Sequence, residues 1–188
     1  DLQGDYLMPN LATQDGQAWL EPHLAGVDFL VVDNLATLAR TGRSNSEDDW
    51  GPVQEWILRL RRQGKAVLLI HHAGKNGSQR GTGAKEDVLD TVISLTRPCD
   101  YEPEQSARFV VTLTKARGLF GPDAEPFEAR LVDGCRWEIR SAEDSLLEQV
   151  KRMIGDGLTV REIAEETGKS KSAIFRLRVK HSLSPRGK

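Results

Sequence analysis

Two short, unbroken apolar runs constrain this chain more than any other feature: Phe29-Leu-Val-Val-Asp33-Asn34 and Ala66-Val-Leu-Leu-Ile70-His71-His72. Each has the length of a strand, and continuous apolar character is the pattern of a strand covered on both faces of a parallel sheet. Between them, Trp50 to Gln63 places Val53, Trp56, Ile57 and Leu60 on one helical face and stops before Gly64. Strand, helix and strand in this order predict a right-handed parallel βαβ unit. Ligands of open α/β sheets sit at the carboxyl ends of the strands, so Asp33 and the histidine pair are expected to border one crevice. An acidic residue after one strand and histidines after the next point to a nucleoside-triphosphate site.

The individual residues carry different weights. Asp33, with Asn34 beside it, stands where nucleotidases hold a carboxylate against the Mg2+ water shell or the P-loop hydroxyl, although a strand-ending Asp also simply starts a turn. His71 and His72 point to opposite faces if the strand continues, so they do not easily share one metal ion. One is then a packed histidine, and the other is placed to bond a γ-phosphate or the attacking water. Further on, Lys115 and Arg117 in Thr114-Lys-Ala-Arg-Gly project to one side if extended. Two neighbouring cations call for an anion, which a phosphoryl group of an adjacent subunit would supply with Arg117 as a finger in trans; on spacing alone they are exposed turn residues.

Around these motifs the chain reads as a short strand in residues 5–9, a helix near Gln17 to Leu24, a polar loop 41–49 in which Ser46 or Asp48 caps the next helix, a glycine-rich loop from Gly74, a short helix from Ala84 to Asp90, and a strand from Thr91 to Leu95. Arg108 to Thr114, Pro126 to Val132 and Arg136 to Ile139 alternate as antiparallel strands. From Ser141 the periodicity is helical, which sets a domain boundary near 140–144.

Charge follows the same division. Residues 1–140 hold 16 basic against 21 acidic side chains, and residues 141–188 hold 10 against 7. Gly168 to Lys188 has seven basic residues and no acidic one, the footprint of nucleic-acid contact or of a solvated face. Counted from Val160, Ile163 and Ala164 fall at positions 4 and 5, Gly168 at 9, Ile174 at 15 and Leu177 at 18 of a helix-turn-helix template. Lys169, Lys171, Ser172, Arg176, Arg178 and Lys180 are then available for DNA phosphates and base edges, with Ser145 to Ile154 as a support helix. A protein-interaction bundle is the alternative. Cys99 and Cys135 have no CxxC spacing and read as ordinary buried or half-buried thiols of a reducing compartment. No membrane span or signal peptide is visible, so a cytoplasmic protein is expected.

Four segments occur in the order found in RecA-like hexameric ATPases: Val31-Val-Asp-Asn-Leu, Leu69-Ile-His-His-Ala-Gly-Lys, Gln79-Arg-Gly-Thr-Gly-Ala-Lys-Glu-Asp-Val and Thr114-Lys-Ala-Arg-Gly. The middle two resemble the plasmid RepA-type helicases and related AAA ATPases of phages and plasmids; the last resembles DnaB-type helicases. Over residues 25–140 the resemblance implies a RecA-like, mainly parallel α/β sheet with flanking helices and C-terminal antiparallel strands, followed at 141–188 by a small all-α helix-turn-helix domain. It implies ATP and Mg2+ as cofactors, Asp33 as the Walker B carboxylate, His72 or His71 as sensor, and Lys115 with Arg117 as a pair acting on the next subunit's nucleotide. It also implies Lys75 and Arg80 as DNA contacts in a channel loop, DNA as partner, and a homo-oligomer such as a hexameric ring.

One part of that pattern is missing. A P-loop needs Gly-x-x-x-x-Gly-Lys-Ser/Thr after a strand; Gly168-Lys169-Ser170 ends like one, but Ile163 stands where the first glycine belongs. The chain is therefore expected to be the C-terminal portion of a longer replication ATPase or helicase and not to hydrolyse ATP alone. The rival expectation is a DNA-binding regulator whose degenerate ATPase half serves assembly.

Overall fold

The computed structural model describes residues 8–39, 47–72 and 86–183, with the backbone only for 47–49. The chain divides into two compact units, Asp1–Leu89 and Asp90–Lys188.

In the first unit, α1 (Gln14–Leu20) runs into a short 3-10 turn (Glu21–Leu24), followed by β1 (Phe29–Asp33), the single-turn helix α2 (Leu35–Leu38), α3 (Glu47–Arg62) and β2 (Ala66–Ile70). β1 and β2 pair in parallel, from Phe29 opposite Ala66 to Asp33 opposite Ile70, which is the expected βαβ arrangement. The helical face read from the sequence is the one that packs: Val53, Trp56, Ile57 and Leu60 are buried with Leu11, Leu24, Val32, Leu35 and Leu38. Two polar devices close this core. Gln17 Nε2 donates to the carbonyls of Leu11 (2.9 Å) and Pro52 (3.1 Å), and Lys65 Nζ donates to those of Leu24 (2.9 Å) and Val27 (2.8 Å). Gly16 is fixed by space, since a Cβ there would lie 2.0 Å from the Asn10 carbonyl oxygen.

Three expectations need correction here. The β1–β2 pair is covered on one face only among the described residues: Leu30, Val32, Val67 and Leu69 meet the core, whereas Phe29, Val31 and Leu68 stay exposed. Unbroken apolar sequence shows that both faces avoid charge, not that both are covered by the same segment. The helix starts at Glu47, so Asp48 lies inside it, and Ser46 falls outside the described residues. The helix expected from Ala84 to Asp90 is a turn at Glu86–Val88, closed by the Leu89 amide on the Glu86 carbonyl, with residues 84–85 outside the described set. The expected strand at 5–9 also lies largely outside it.

The second unit is an antiparallel meander, β3 (Thr91–Thr96), β4 (Arg108–Ala116), β5 (Phe127–Val132) and β6 (Arg136–Ser141), paired in sequence order. Three helices follow: α4 (Ala142–Gly155), α5 (Val160–Thr167) and α6 (Lys171–Lys180). Ser141 ends β6 and caps α4 by accepting from the Asp144 amide, so the expected 140/141 division falls at a direct strand-to-helix junction inside this unit. The helices share a core of Leu147, Val150, Ile163, Ala164, Ile174 and Leu177.

α4 is fastened to the sheet by a charged cluster. Glu128 on β5 is 1% exposed. Its Oε1 accepts from Arg108 Nε (3.0 Å) and from Arg140 Nε (3.0 Å) and Nη2 (2.8 Å), and its Oε2 accepts from Arg108 Nη2 (3.1 Å) and from the Ser145 hydroxyl on α4. Arg140 also bridges to Glu148 (2.7 Å), and Arg152 on α4 reaches Asp100 (3.1 Å). The opposite sheet face is apolar, with Val111 and Ala129 buried and Ile93, Leu95, Trp137 and Ile139 exposed. Both cysteines are free and exposed rather than buried; Cys99 Sγ donates to Gln149 Oε1 at 2.9 Å.

Burial alone would raise the Glu128 carboxyl, but the hydrogen bonds from Arg108, Ser145 and Arg140 outweigh it and hold it below its ordinary value. A lowered folded value means the stabilisation is complete above the unfolded value and is lost as pH falls through the folded one. Glu128→Gln leaves two guanidiniums without their anion, so amide hydrogen exchange in β4–β6 at pH 7 should report about 3–5 kcal/mol of lost stability. The variant should also lack this group's acid-side decline; parental protection at neutral pH would disprove the fastening role.

Candidate functional site

Asp33 is the last residue of β1, directly across from Ile70 at the end of β2. Both strands run the same way, so their carboxyl ends form one edge. The Asp33 carboxylate is exposed and has no hydrogen-bond or ion partner among the described residues, which leaves its oxygens open to a ligand. The peptide bond to Asn34 is cis. Asn34 caps α2, its Oδ1 accepting from the Thr37 amide (3.1 Å) and hydroxyl (3.0 Å), so its acceptor is committed to the turn that ends β1. His71 is half-buried and His72 exposed, immediately past β2. This difference follows the β2 alternation, in which Val67 and Leu69 pack while Ala66 and Leu68 are exposed.

An exposed carboxylate at a strand end is a hard oxygen donor of the kind that holds Mg2+ together with waters and substrate phosphates. Among the described residues no group of three or more His, Cys, Asp or Glu side chains could hold a metal by itself. Asp33 is a single such donor at this edge, and no Gly-x-x-x-x-Gly-Lys-Ser/Thr cradle for phosphates occurs in the 188 residues. Lys75 and Arg80 lie outside the described residues.

Lys115 and Arg117 belong to the second unit. Lys115 is half-buried near the end of β4, paired in register with Val92. Arg117 begins the turn that Gly118 completes with φ +77°. Its amide donates to the Asp90 carbonyl (2.8 Å), and its guanidinium lies 3.7 Å from the Asp90 carboxylate with 58% exposure. A surface pair of this kind is worth little and leaves the guanidinium available.

The C-terminal basic residues divide by geometry. α5 ends at Gly168 (φ +63°), where the Lys169 amide returns to the Ala164 carbonyl (3.1 Å) in a Schellman closure, and Ser170 caps α6 through the Ala173 amide. Lys169, Lys171, Ser172 and Arg176 are exposed, with Arg176 Nε 3.4 Å from the Ser172 carbonyl. Arg178 is half-buried and donates to the Leu183 carbonyl (3.3 Å). Lys180 is exposed but paired with Glu143 of α4 (2.6 Å), which His181 also meets at 3.0 Å. The Lys180 contact holds the Glu143 carboxyl below, and Glu143 holds the Lys180 amine above, their ordinary values. Scanning for charge overlooked Phe175 and Val179, which are 61% and 63% exposed on α6; the signal was present, since Ile174 and Leu177 already fill the helix's inward positions.

Residues 5–78 match the model of a family described as an AAA domain. The match covers less than half of the chain and contains β1, α3 and β2, which places this stretch in a broad relationship to the AAA and RecA-like ATPases, a nucleotide-binding class that works with Mg2+. The parallel pair, the antiparallel sheet and the flanking helices are consistent with a RecA-like fold. No curated protein and no solved structure matches the chain. No helix among the described residues is long and apolar enough to cross a membrane.

Replacing the Asn34 cap separates its structural part from any ligand contact. Asn34→Ala should cost about 1 kcal/mol and speed exchange of the Thr37 amide, while Asn34→Ser retains most of the protection. Equal protection in all three proteins would remove the capping role.

Proposed function

We propose that this chain is the Walker B and DNA-binding part of a RecA-like, ATP-dependent DNA helicase or replication ATPase of the plasmid RepA or DnaB kind. The observation that carries the reading is the open Asp33 carboxylate at the end of β1, beside a parallel strand that ends in His71-His72, inside the stretch that matches an AAA domain. In this reading Asp33 holds the water shell of Mg2+ on ATP. His72, the exposed member of the pair, contacts the γ-phosphate or its attacking water, and Asn34 shapes the strand end. The phosphate cradle comes from a P-loop outside these 188 residues.

Lys115 and Arg117 then act on a nucleotide bound by an adjacent subunit of a homo-oligomer, such as a hexameric ring. An exposed guanidinium on a glycine turn can reach across an interface without unfolding its own strand. Lys75 and Arg80 would serve the DNA channel. α5 and α6 form the helix-turn-helix, with Lys169, Lys171, Ser172 and Arg176 on duplex DNA and with Arg178 and Lys180 joining where their present partners exchange. The acidic body and basic C-terminal end support this division of labour. A cytoplasmic location fits the same work.

In a polypeptide that includes the P-loop, Arg117→Ala should abolish ATP turnover while nucleotide binding persists; normal turnover would eliminate the finger. Lys169→Ala with Arg176→Ala should weaken duplex binding and lower the slope of log K against log salt by about 2. An unchanged slope would exclude α6 from the DNA backbone.

A further inference from the structure

The outward face of α6 is not uniformly charged. Ile174 and Leu177 are buried against α4 and α5, and on the far side of the helix Ser172, Phe175, Arg176 and Val179 form the exposed surface. Phe175 and Val179 are four residues apart, hence stacked on one stripe. Both lie more than three-fifths open to solvent. No core position requires an aromatic ring there, and an exposed Phe–Val stripe has a solvation cost that a merely solvated basic face avoids.

Resting on the reading of α5 and α6 as a DNA-binding pair, we propose that Phe175 and Val179 are specificity-determining residues that read the C5-methyl groups of thymine in the major groove. The major groove admits an α-helix, and the thymine methyl is the one apolar group it displays. The chemistry of the rim matches: Lys169, Lys171 and Arg176 are exposed around the stripe, and the segment from Gly168 onward contains no acid to repel phosphates. Spacing matches as well. Four residues along a helix advance about 6 Å, close to two base-pair steps at roughly 3.4 Å each. Phe175 and Val179 therefore meet methyl groups about two steps apart, while the basic residues hold the register on the backbone.

The test begins with random duplexes enriched on the full 188-residue chain and resynthesised with uracil in place of thymine, which deletes the methyls and keeps every phosphate. Enriched sites should carry T·A pairs about two steps apart, and uracil should weaken binding roughly fourfold per contacted position. Phe175→Ser with Val179→Ser should bind thymine and uracil duplexes equally, with the parental salt slope. Equal binding of both duplexes by the unaltered protein, with a normal salt slope, overturns the methyl reading and leaves DNA binding intact. If the unaltered chain binds no duplex, or binds with no dependence on Lys169 and Arg176, the helix-turn-helix reading itself falls. The uracil comparison uses the parent protein, so it stands whether or not the variants fold.

Discussion

One buried carboxylate, Glu128, holds the second unit together. It lies on β5 and takes hydrogen bonds from Arg108 on β4, Arg140 on β6 and Ser145 on α4, so three strands and a helix meet at one anion. Two guanidiniums against one carboxylate are stable there because each fork has further acceptors: Gln105 and Asp100 for Arg108, and Glu148 for Arg140. A buried charge so fully satisfied gives direction more than raw stability, because α4 cannot slide along the sheet without withdrawing Ser145 from the carboxylate and Glu148 from Arg140. Everything C-terminal inherits that placement. α5 and α6 are packed on α4 through Leu147, Val150, Ile163 and Ile174, and Lys180 is tied back to Glu143.

The helix α4 thus lies on the face that carries Glu128, while on the opposite face Ile93, Leu95, Trp137 and Ile139 are exposed among the described residues. In the first unit β1 and β2 also leave apolar side chains exposed among the described residues, but there the covered face is apolar too: Val32 is buried, and Phe29, Val31 and Leu68 are exposed. Exposed apolar sheet faces carry a solvation cost that soluble chains usually avoid.

The candidate nucleotide edge and the α6 surface work by opposite means. At the edge, what matters is an exposed carboxylate: Asp33 has no partner among the described residues, while its neighbour Asn34 is used in capping. On α6, what matters is which cations are left over after internal pairing. Arg178 is half-buried on the Leu183 carbonyl and Lys180 is ion-paired with Glu143, whereas Lys169, Lys171 and Arg176, the last touching only the Ser172 carbonyl of its own helix, are exposed around an apolar stripe. Counting charges along the chain does not separate these groups, because the distinction arises from contacts to Leu183 and Glu143.

Local pattern was enough for the elements whose information is local. The Val53, Trp56, Ile57 and Leu60 face, the parallel pairing of the two apolar runs, the antiparallel meander and the three C-terminal helices with Gly168 at the turn follow from periodicity, caps and glycine geometry. Tertiary structure alone decided the rest. It left one face of β1 and β2 exposed among the described residues, turned the expected helix at 84–90 into a reverse turn within its described part, and set α4 directly on the sheet at Ser141, where the sequence showed only a change of period. It also assigned partners to Glu128 and Lys180. The physical reason is range: periodicity reports which side of an element avoids water, but the partner that covers that side, or the carboxylate that claims a given cation, comes from residues tens of positions away.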